Sequence, residues 1–210
     1  MNRKHTFAIA VVTACTVGLG VGYAVQHDEH HHDHHHGTLS SLERTVVPVP
    51  PGEALNVTGF LDAEGKPADS RELRGHWSLV FFGYTSCPDV CPTTLATLAA
   101  VARDPASGIA DHSVQVVFVS VDPKRDTPQR LKDYLAAFDA RFVGLTGPRA
   151  ALQRLASQVG AGYEASDSGF DHSTSVFIVD PQGRTAAVLL HPSDPARIVA
   201  DLASVRQPSS

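Results

Sequence analysis

The apolar residues of this chain recur in two different periods, and the alternation of those periods predicts its fold. Continuous apolar runs of strand length, such as Trp77 to Gly83 and Val114 to Val121, are typical of buried central strands. From Pro88 to Arg103 the apolar residues instead recur at helical spacing. By these criteria the chain contains strands at 55–60, 77–83, 114–121, 142–145, 174–179 and 184–190, and helices at 88–103, 128–138, 148–159 and 194–205. Alternating strands and helices predict a layered α/β sheet with helices on both faces.

Prolines and acidic residues mark where several of these elements begin and end. Asp126-Thr-Pro128 places a capping side chain before a proline at the first helical position, and we interpret Asp122 and Asp126 as turn and cap residues. Asp180-Pro-Gln-Gly183 has the residue order of a type I turn, so the flanking strands should pair antiparallel.

Pro92 fixes the start of the first predicted helix. A proline is tolerated only in the first helical turn, where its missing N–H has no partner. The helix should therefore begin near Pro88, with Cys87 at its N-terminus.

The N-terminal segment carries the pattern of a membrane anchor. Two basic residues precede an apolar stretch from Phe7 to Val25, which is just long enough to span a bilayer as a helix. Because positive charge keeps the short N-terminal side cytoplasmic, we predict a cytoplasmic tip at 1–5, a transmembrane signal anchor at 6–25 and a body across the membrane. Cys15 is either a small membrane-buried residue or a lipidated cysteine of the bacterial lipoprotein type. Either option tethers the body to the membrane.

Residues 26–45 are predicted to be a flexible, histidine-rich linker, and residues 46–210 to be one folded domain. Seven of the twelve histidines lie between positions 27 and 36 among acidic residues, and such a tract is too polar to fold. It should bind Cu(II), Zn(II) or Ni(II) loosely, because free imidazoles suit these ions but impose no fixed geometry. The remaining length, in a chain of 210 residues that is 42% hydrophobic, fits one medium-sized domain.

Composition excludes two classes of protein. A formal net charge of -5, with no long cluster of Lys and Arg after residue 4, argues against a nucleic-acid-binding protein. Only three cysteines in 210 residues exclude a disulfide framework of the small secreted kind. A functional dithiol is still possible, and across the membrane it would face an oxidising compartment.

Cys87 and Cys91 are the candidate chemistry of the domain. They lie one helical turn apart, directly after an apolar strand, and side chains at this spacing share one helix face. A thiolate at a helix N-terminus is also favoured by the positive end of the helix dipole. The two sulfurs can therefore converge on a metal ion, or each can be the partner of the other in a disulfide.

Four separated motifs resemble the Sco/SenC family of copper-binding assembly factors for cytochrome c oxidase. They are Phe82-Gly-Tyr-Thr-Ser-Cys-Pro-Asp-Val-Cys-Pro92, Ser120-Val-Asp-Pro-Lys-Arg-Asp-Thr-Pro128, Leu145-Thr-Gly147 and Asp171-His-Ser-Thr174. The resemblance runs from about Val46 to Val205. It implies a membrane-tethered, thioredoxin-like domain in which Cys87, Cys91 and His172 bind copper as Cu(I) or Cu(II).

The resemblance also implies a function, a partner and a location. The function would be delivery of copper to the dinuclear copper site of cytochrome c oxidase, so the copper-site subunit would be a partner. A second periplasmic copper chaperone or a thiol reductase would be a further partner. The protein would cross the bacterial inner membrane once and place its folded domain in the periplasm.

The alternative function is a thiol–disulfide oxidoreductase that reduces the oxidase copper-site cysteines before metal loading, with Cys87 and Cys91 as the redox-active dithiol. Two features count against this as the sole function. Three residues separate the cysteines, where thioredoxins usually have two, and no proline occurs between His172 and Asp180, where thioredoxin-like reductases place a cis-proline.

Other residues near the motifs are given lesser roles. We expect Tyr84 and Phe170 to shield the metal, and Asp89 to tune the site or its docking. The remaining histidines of the folded domain are expected to be structural, namely His76, His112 and His191.

Overall fold

The computed structural model describes residues 46–50, 52–161, 163–166, 169–172 and 174–207, with the strands at 163–166 and 169–172 described by their backbone. Residues 44–210 form one compact unit. The predicted anchor at 6–25, Cys15 and the histidine-rich linker lie outside the described residues. Within the described ranges, no helix is both long enough and apolar enough to cross a membrane.

Seven of the nine strands in the described ranges form one mixed sheet. In chain order the strands are β1 (Val46–Pro48), β2 (Leu61–Asp62), β3 (Trp77–Gly83), β4 (Val114–Ser120), β5 (Val143–Thr146), β6 (Tyr163–Ser166), β7 (Gly169–His172), β8 (Val176–Val179) and β9 (Thr185–Leu189). The large sheet has the order β1-β9-β8-β3-β4-β5-β2, and β6 and β7 pair with each other as a separate antiparallel hairpin. Strands β3, β4 and β5 are parallel, so their carboxyl ends meet at one edge of the sheet.

In the part of the chain that the structure describes, four α-helices cover the two faces of the sheet. They are α1 (Val90–Arg103), α2 (Pro128–Ala136), α3 (Arg149–Val159) and α4 (Pro195–Arg206). Alternate residues of β3 point to opposite sides: Leu79 and Phe81 join the core formed with α1, α2 and α4, and Val80 and Phe82 join the core formed with α3. The predicted layered α/β sheet with helices on both faces is confirmed.

The strand predicted at 55–60 is wrong. Leu55, Val57 and Phe60 are buried, which explains the alternating pattern, yet the segment is an irregular loop packed on the core formed with α3. Its Leu55 N–H bonds to the Gly183 carbonyl at 2.7 Å, and Gly59 turns the chain with a φ of 93°. The alternation of apolar and polar residues here arises because one side of a loop is buried. The edge strands of the sheet are β1 and β2.

Element boundaries otherwise lie close to those predicted. Helix α1 begins at Val90 instead of near Pro88, which makes Pro92 its third residue and keeps it within the first turn. The turn at 180–183 is confirmed by the bond from the Gly183 N–H to the Asp180 carbonyl at 2.8 Å, and β8 and β9 pair antiparallel across it. Asp122 is a turn residue as predicted, because its carbonyl accepts from Arg125 N–H at 3.1 Å.

Phe118→Ala should destabilise the domain by about 3–5 kcal/mol, because deletion of a fully buried aromatic ring leaves a cavity. Phe118 is 0% exposed, and its ring lies 5.9 Å from that of Phe81 and 6.1 Å from that of Tyr134, measured between centroids. Urea denaturation measures the change in the free energy of unfolding. The control is Leu190→Ala, at a side chain that is 41% exposed, where a change within about 0.5 kcal/mol is expected. Equal changes in the two variants would contradict the central place of Phe118 in the core.

Candidate metal centre

The two predicted cysteines lie together where β3 leads into α1. Cys87 is in the connecting loop and Cys91 is the second residue of the helix. The Cys91 backbone N–H donates to Cys87 Sγ at 3.4 Å, and both residues carry reduced thiols. Cys87 is 8% exposed, whereas Cys91 is 0% exposed. The structure therefore brings the two sulfurs to one place and leaves only Cys87 within reach of solvent.

The surroundings of the two thiols shift their pKa values in opposite directions. Burial raises the pKa of Cys87, but hydrogen bonds from the Cys91 and Asp89 backbones and from the Cys91 and Tyr84 side chains outweigh it, so the pKa is lowered overall. At Cys91 burial dominates and raises the pKa far above its usual range, and the negative charges of Cys87 and Asp126 act in the same direction. Cys87 is therefore the sulfur that ionises first.

Gly83, the last residue of β3, makes room for the Cys91 sulfur. A Cβ added at Gly83 would lie 2.9 Å from Cys91 Sγ and 2.7 Å from Phe118 Cε2, which is closer than such atoms approach in proteins. Both neighbours are fully buried and neither can swing into solvent. The sequence therefore needs glycine at this position, because α1 and β4 leave no space for a side chain.

Two tyrosines lie within electrostatic range of the cysteine pair. Burial raises the pKa of Tyr84, whose side chain hydrogen-bonds Cys87. Burial also raises the pKa of Tyr134 far above its usual range, and the charges of Cys91 and Cys87 add to this effect. The Tyr134 hydroxyl is buried without a hydrogen-bond partner among the described residues. Tyr84 was expected near the site, whereas Tyr134 was missed because it is distant in sequence and lies on α2.

Asp126 is not the helix cap that the sequence predicted. Thr127 takes that place, since its side chain accepts from the Arg130 N–H at 3.3 Å. The Asp126 carboxylate is 0% exposed and accepts from the Thr85 N–H at 3.0 Å, the Thr85 hydroxyl at 2.6 Å and the Ser120 hydroxyl at 2.7 Å. The residue directly before a first-position proline is the N-cap by position, so the sequence contained a signal for Thr127.

His172 is the last residue of β7, where its backbone pairs with Tyr163. Its side chain lies outside what the structure describes, so its role as third ligand stays a prediction. No group of three or more His, Cys, Asp or Glu side chains among the described residues is arranged to hold a metal ion. Just beyond the hairpin, the Thr174 hydroxyl lies 2.7 Å from His191 Nδ1, and His191 has a φ of 49°. His191 thus ties the end of the hairpin to the loop after β9.

Three of the other residues given lesser roles lie in loops. His76 Nε2 lies 2.7 Å from the Glu72 carbonyl oxygen, a contact that fits the structural role expected of it. His112 is exposed in the loop before β4, with a φ of 61°. Asp89 is exposed and makes no capping bond to the α1 backbone, but its carboxylate lies 3.4 Å from the Thr93 hydroxyl. The side chain of Phe170 lies outside the described part of the chain.

Comparison with known proteins identifies a matching family and several related sequences. The family model described as SCO1/SenC matches residues 59–207. The SCO2-like protein of Rickettsia prowazekii is 36% identical over 189 residues, covering 87% of this chain and 88% of the relative. A putative copper-binding protein of Stutzerimonas stutzeri is 35% identical over 147 residues, covering 67% and 71%.

A solved structure shows the same fold. The structure of Bradyrhizobium japonicum ScoI with copper bound superposes with a TM-score of 0.60 and 32% identity, covering 76% of this chain and 99% of that one. The likeness confirms the predicted thioredoxin-like α/β fold of the domain. The family match covers well over half of the sequence, and this chain belongs to the SCO1/SenC family.

Proposed function

We propose that this protein binds one copper ion through Cys87, Cys91 and His172 and delivers it to the dinuclear copper site of cytochrome c oxidase. The observation that carries the proposal is the adjacent pair of reduced thiols at the start of α1, one of them reachable from solvent. Membership of a family with a relative solved with copper bound supports the choice of metal.

The donor set fits copper as cargo. Two thiolates and an imidazole form a soft, low-coordinate site that suits Cu(I), and the same set also holds Cu(II). Hard cations such as Mg²⁺ and Ca²⁺ prefer oxygen ligands and are disfavoured. A site with few ligands leaves a position at which an acceptor ligand attacks before the donor ligands leave. Copper then passes by ligand exchange and is never released to solvent.

The cellular setting is part of the proposal. Residues 1–5 would be cytoplasmic, residues 6–25 would span the bacterial inner membrane, and the linker at 26–45 would let the domain at 46–210 reach its partners in the periplasm. Those partners are the copper-site subunit of the oxidase and a second copper chaperone or thiol reductase. Thiols in this compartment need such a reductant, because only the reduced pair ligates the metal.

Titration of residues 38–210 with Cu(I) tests the copper site, because this fragment contains the compact unit and lacks the histidine tract. We expect one equivalent to bind, and His172→Ala to weaken binding by at least about tenfold, because loss of a partner outside the ligand set already costs about 10–100-fold. The control is His112→Asn, because His112 precedes β4 and so lies at the sheet edge opposite the cysteines. Absence of binding, or unchanged affinity in His172→Ala, would refute the ligand assignment.

Thiol–disulfide exchange is the second candidate function, favoured by the lowered pKa of Cys87 beside the raised pKa of Cys91. A more readily ionised outer thiol next to a less readily ionised buried one is the arrangement of an attacking and a resolving cysteine. The test is reduction of an oxidised copper-site subunit by metal-free, reduced protein. Rapid reduction of one acceptor disulfide, with oxidation of Cys87 and Cys91 to a disulfide, would make reduction the primary function, whereas copper transfer to an already reduced subunit supports delivery.

A further inference from the structure

The geometry points to Asp126 as a positioning residue that holds the cysteine loop in its metal-binding conformation through Thr85. This inference rests on the proposed copper site and deepens it. Asp126 lies in the loop between β4 and α2, whereas Thr85 is two residues before Cys87 in the loop after β3. One buried carboxylate therefore joins the two loops that leave the carboxyl ends of the central parallel strands.

Three donors meet this carboxylate, and two of them belong to Thr85. The Thr85 N–H lies 3.0 Å from Asp126 Oδ2 and the Thr85 hydroxyl lies 2.6 Å from Oδ1. The Ser120 hydroxyl, at the end of β4, donates to Oδ2 at 2.7 Å. Thr85 is thus held through both its backbone and its side chain, which fixes the chain direction just before Cys87. An ionised carboxylate only accepts hydrogen bonds, so three donors suit it.

Two further contacts fix the carboxylate and the loop. The Arg130 guanidinium donates to the Thr85 hydroxyl at 2.6 Å and lies 3.9 Å from Asp126 Oδ1. The Asp126 carbonyl accepts from the Thr146 hydroxyl at 2.8 Å, which anchors the Asp126 backbone to the end of β5. A buried charge held from so many directions is costly to displace, and this makes it a rigid support for the loop.

The cysteine loop needs such a support. Cys87 lies before the first residue of α1, so helical hydrogen bonds do not fix its backbone. Its own N–H bonds to the Tyr84 carbonyl at 3.2 Å, which closes a turn over residues 84–87. Thr85 is inside that turn. Loss of the bonds between Thr85 and Asp126 would free the turn and spread the positions of the Cys87 sulfur, while Cys91 would stay fixed within α1.

The experiment compares Thr85→Val with Ser120→Ala in residues 38–210. Each variant deletes one hydroxyl donor to the same carboxylate, but only Thr85 belongs to the cysteine loop. Ser120 also accepts from the Asp122 N–H at 3.1 Å, and the Thr85 hydroxyl also accepts from the Arg130 guanidinium, so each substitution removes two hydrogen bonds and Ser120→Ala is a matched control. Asp126→Asn, which keeps the shape and removes the charge, is the third variant.

Two measurements separate positioning from stability. Amide hydrogen exchange of the metal-free protein should accelerate at residues 84–87 in Thr85→Val and Asp126→Asn, and much less in Ser120→Ala. Copper affinity should fall by about tenfold in the first two variants, the size expected when a partner outside the ligand set is lost. Cu(II) bound to these variants should show a shifted sulfur-to-metal charge-transfer band.

The outcomes distinguish this inference from the proposed copper site. If the unsubstituted fragment binds no copper, the proposed function fails, and the hydrogen-exchange comparison still decides whether Asp126 orders the loop. If the unsubstituted fragment binds copper and the three variants lose affinity and exchange protection equally, Asp126 is only a stabilising residue and the inference is overturned. Unchanged copper affinity in Thr85→Val would overturn it as well.

Discussion

Cys91→Ala is expected to lower copper affinity by more than about 100-fold, because loss of a residue outside the ligand set alone costs about 10–100-fold. Cys91 is fully buried beside Gly83. Cys87 is the other cysteine among the described residues, so no third cysteine there can replace Cys91 as a ligand. The metal-free domain should still fold, since removal of one buried sulfur costs only about 1 kcal/mol, near the lower end for core deletions. Competition with a Cu(I) chelator, using residues 38–210, measures the affinity, and urea denaturation checks the fold.

Cys87→Ala is the matched variant and separates the two sulfurs by their reactivity. Both substitutions should abolish tight copper binding. A thiol reagent should then modify Cys91→Ala rapidly through the remaining Cys87, whose pKa is lowered, and Cys87→Ala slowly through the buried Cys91. Tight copper binding by either single variant would show that the cysteine pair is not the ligand set. Equal modification rates would show that burial does not protect Cys91.

Gly83→Ala is expected to disturb the site without any change to a ligand. The new methyl group would lie 2.9 Å from Cys91 Sγ and 2.7 Å from Phe118 Cε2, so the helix, the ring or both must move. Such overpacking costs about 1–3 kcal/mol. Displacement of the sulfur should also lower copper affinity by at least about tenfold, comparable with loss of an outer-shell partner. Calorimetric titration and urea denaturation of the same sample measure the two effects.

Gly144→Ala provides the control for this prediction. A Cβ at Gly144, on β5, would lie 2.9 Å from Leu135 Cδ1, so the crowding is similar but involves no cysteine. We expect a comparable loss of stability and unchanged copper affinity. If Gly144→Ala lowers copper affinity as much as Gly83→Ala does, the effect is a general consequence of destabilisation and the close approach at Cys91 has no special role.

The central elements could be predicted because their signals are local. The apolar run of β3 is buried along nearly its whole length, and the proline at the start of α2 fixes that helix boundary whatever the rest of the fold does. The loop at 55–60 shows the limit of such signals. Its alternating burial arises from packing on a core built by distant residues, and a window of six residues cannot distinguish this from a strand.

The proximity of the two cysteines could be predicted more readily than the contacts that hold their loop. The spacing of Cys87 and Cys91 placed the two sulfurs together, as the structure confirms. The role of Asp126 depends on Thr85, which is 41 positions away, and no local pattern reports that contact. The β6–β7 hairpin was missed for a different reason. Its residues are mostly polar, and the strands pair through their backbones without an apolar signature.

The separate pairing of β6 with β7 would give a metal bound by the proposed ligands a mechanical role. Among the described backbones, β6 and β7 pair with each other in a sheet separate from the large one, and His172 lies at the end of this hairpin. A copper ion bound by His172 and the two cysteines would cross-link the hairpin to the start of α1. A cross-link between positions so distant in the chain restricts the opened states most, as a long-range disulfide does. Loss of the copper ion would then remove the link between the hairpin and the start of α1. The acceptor protein would therefore contact a different surface before and after copper transfer.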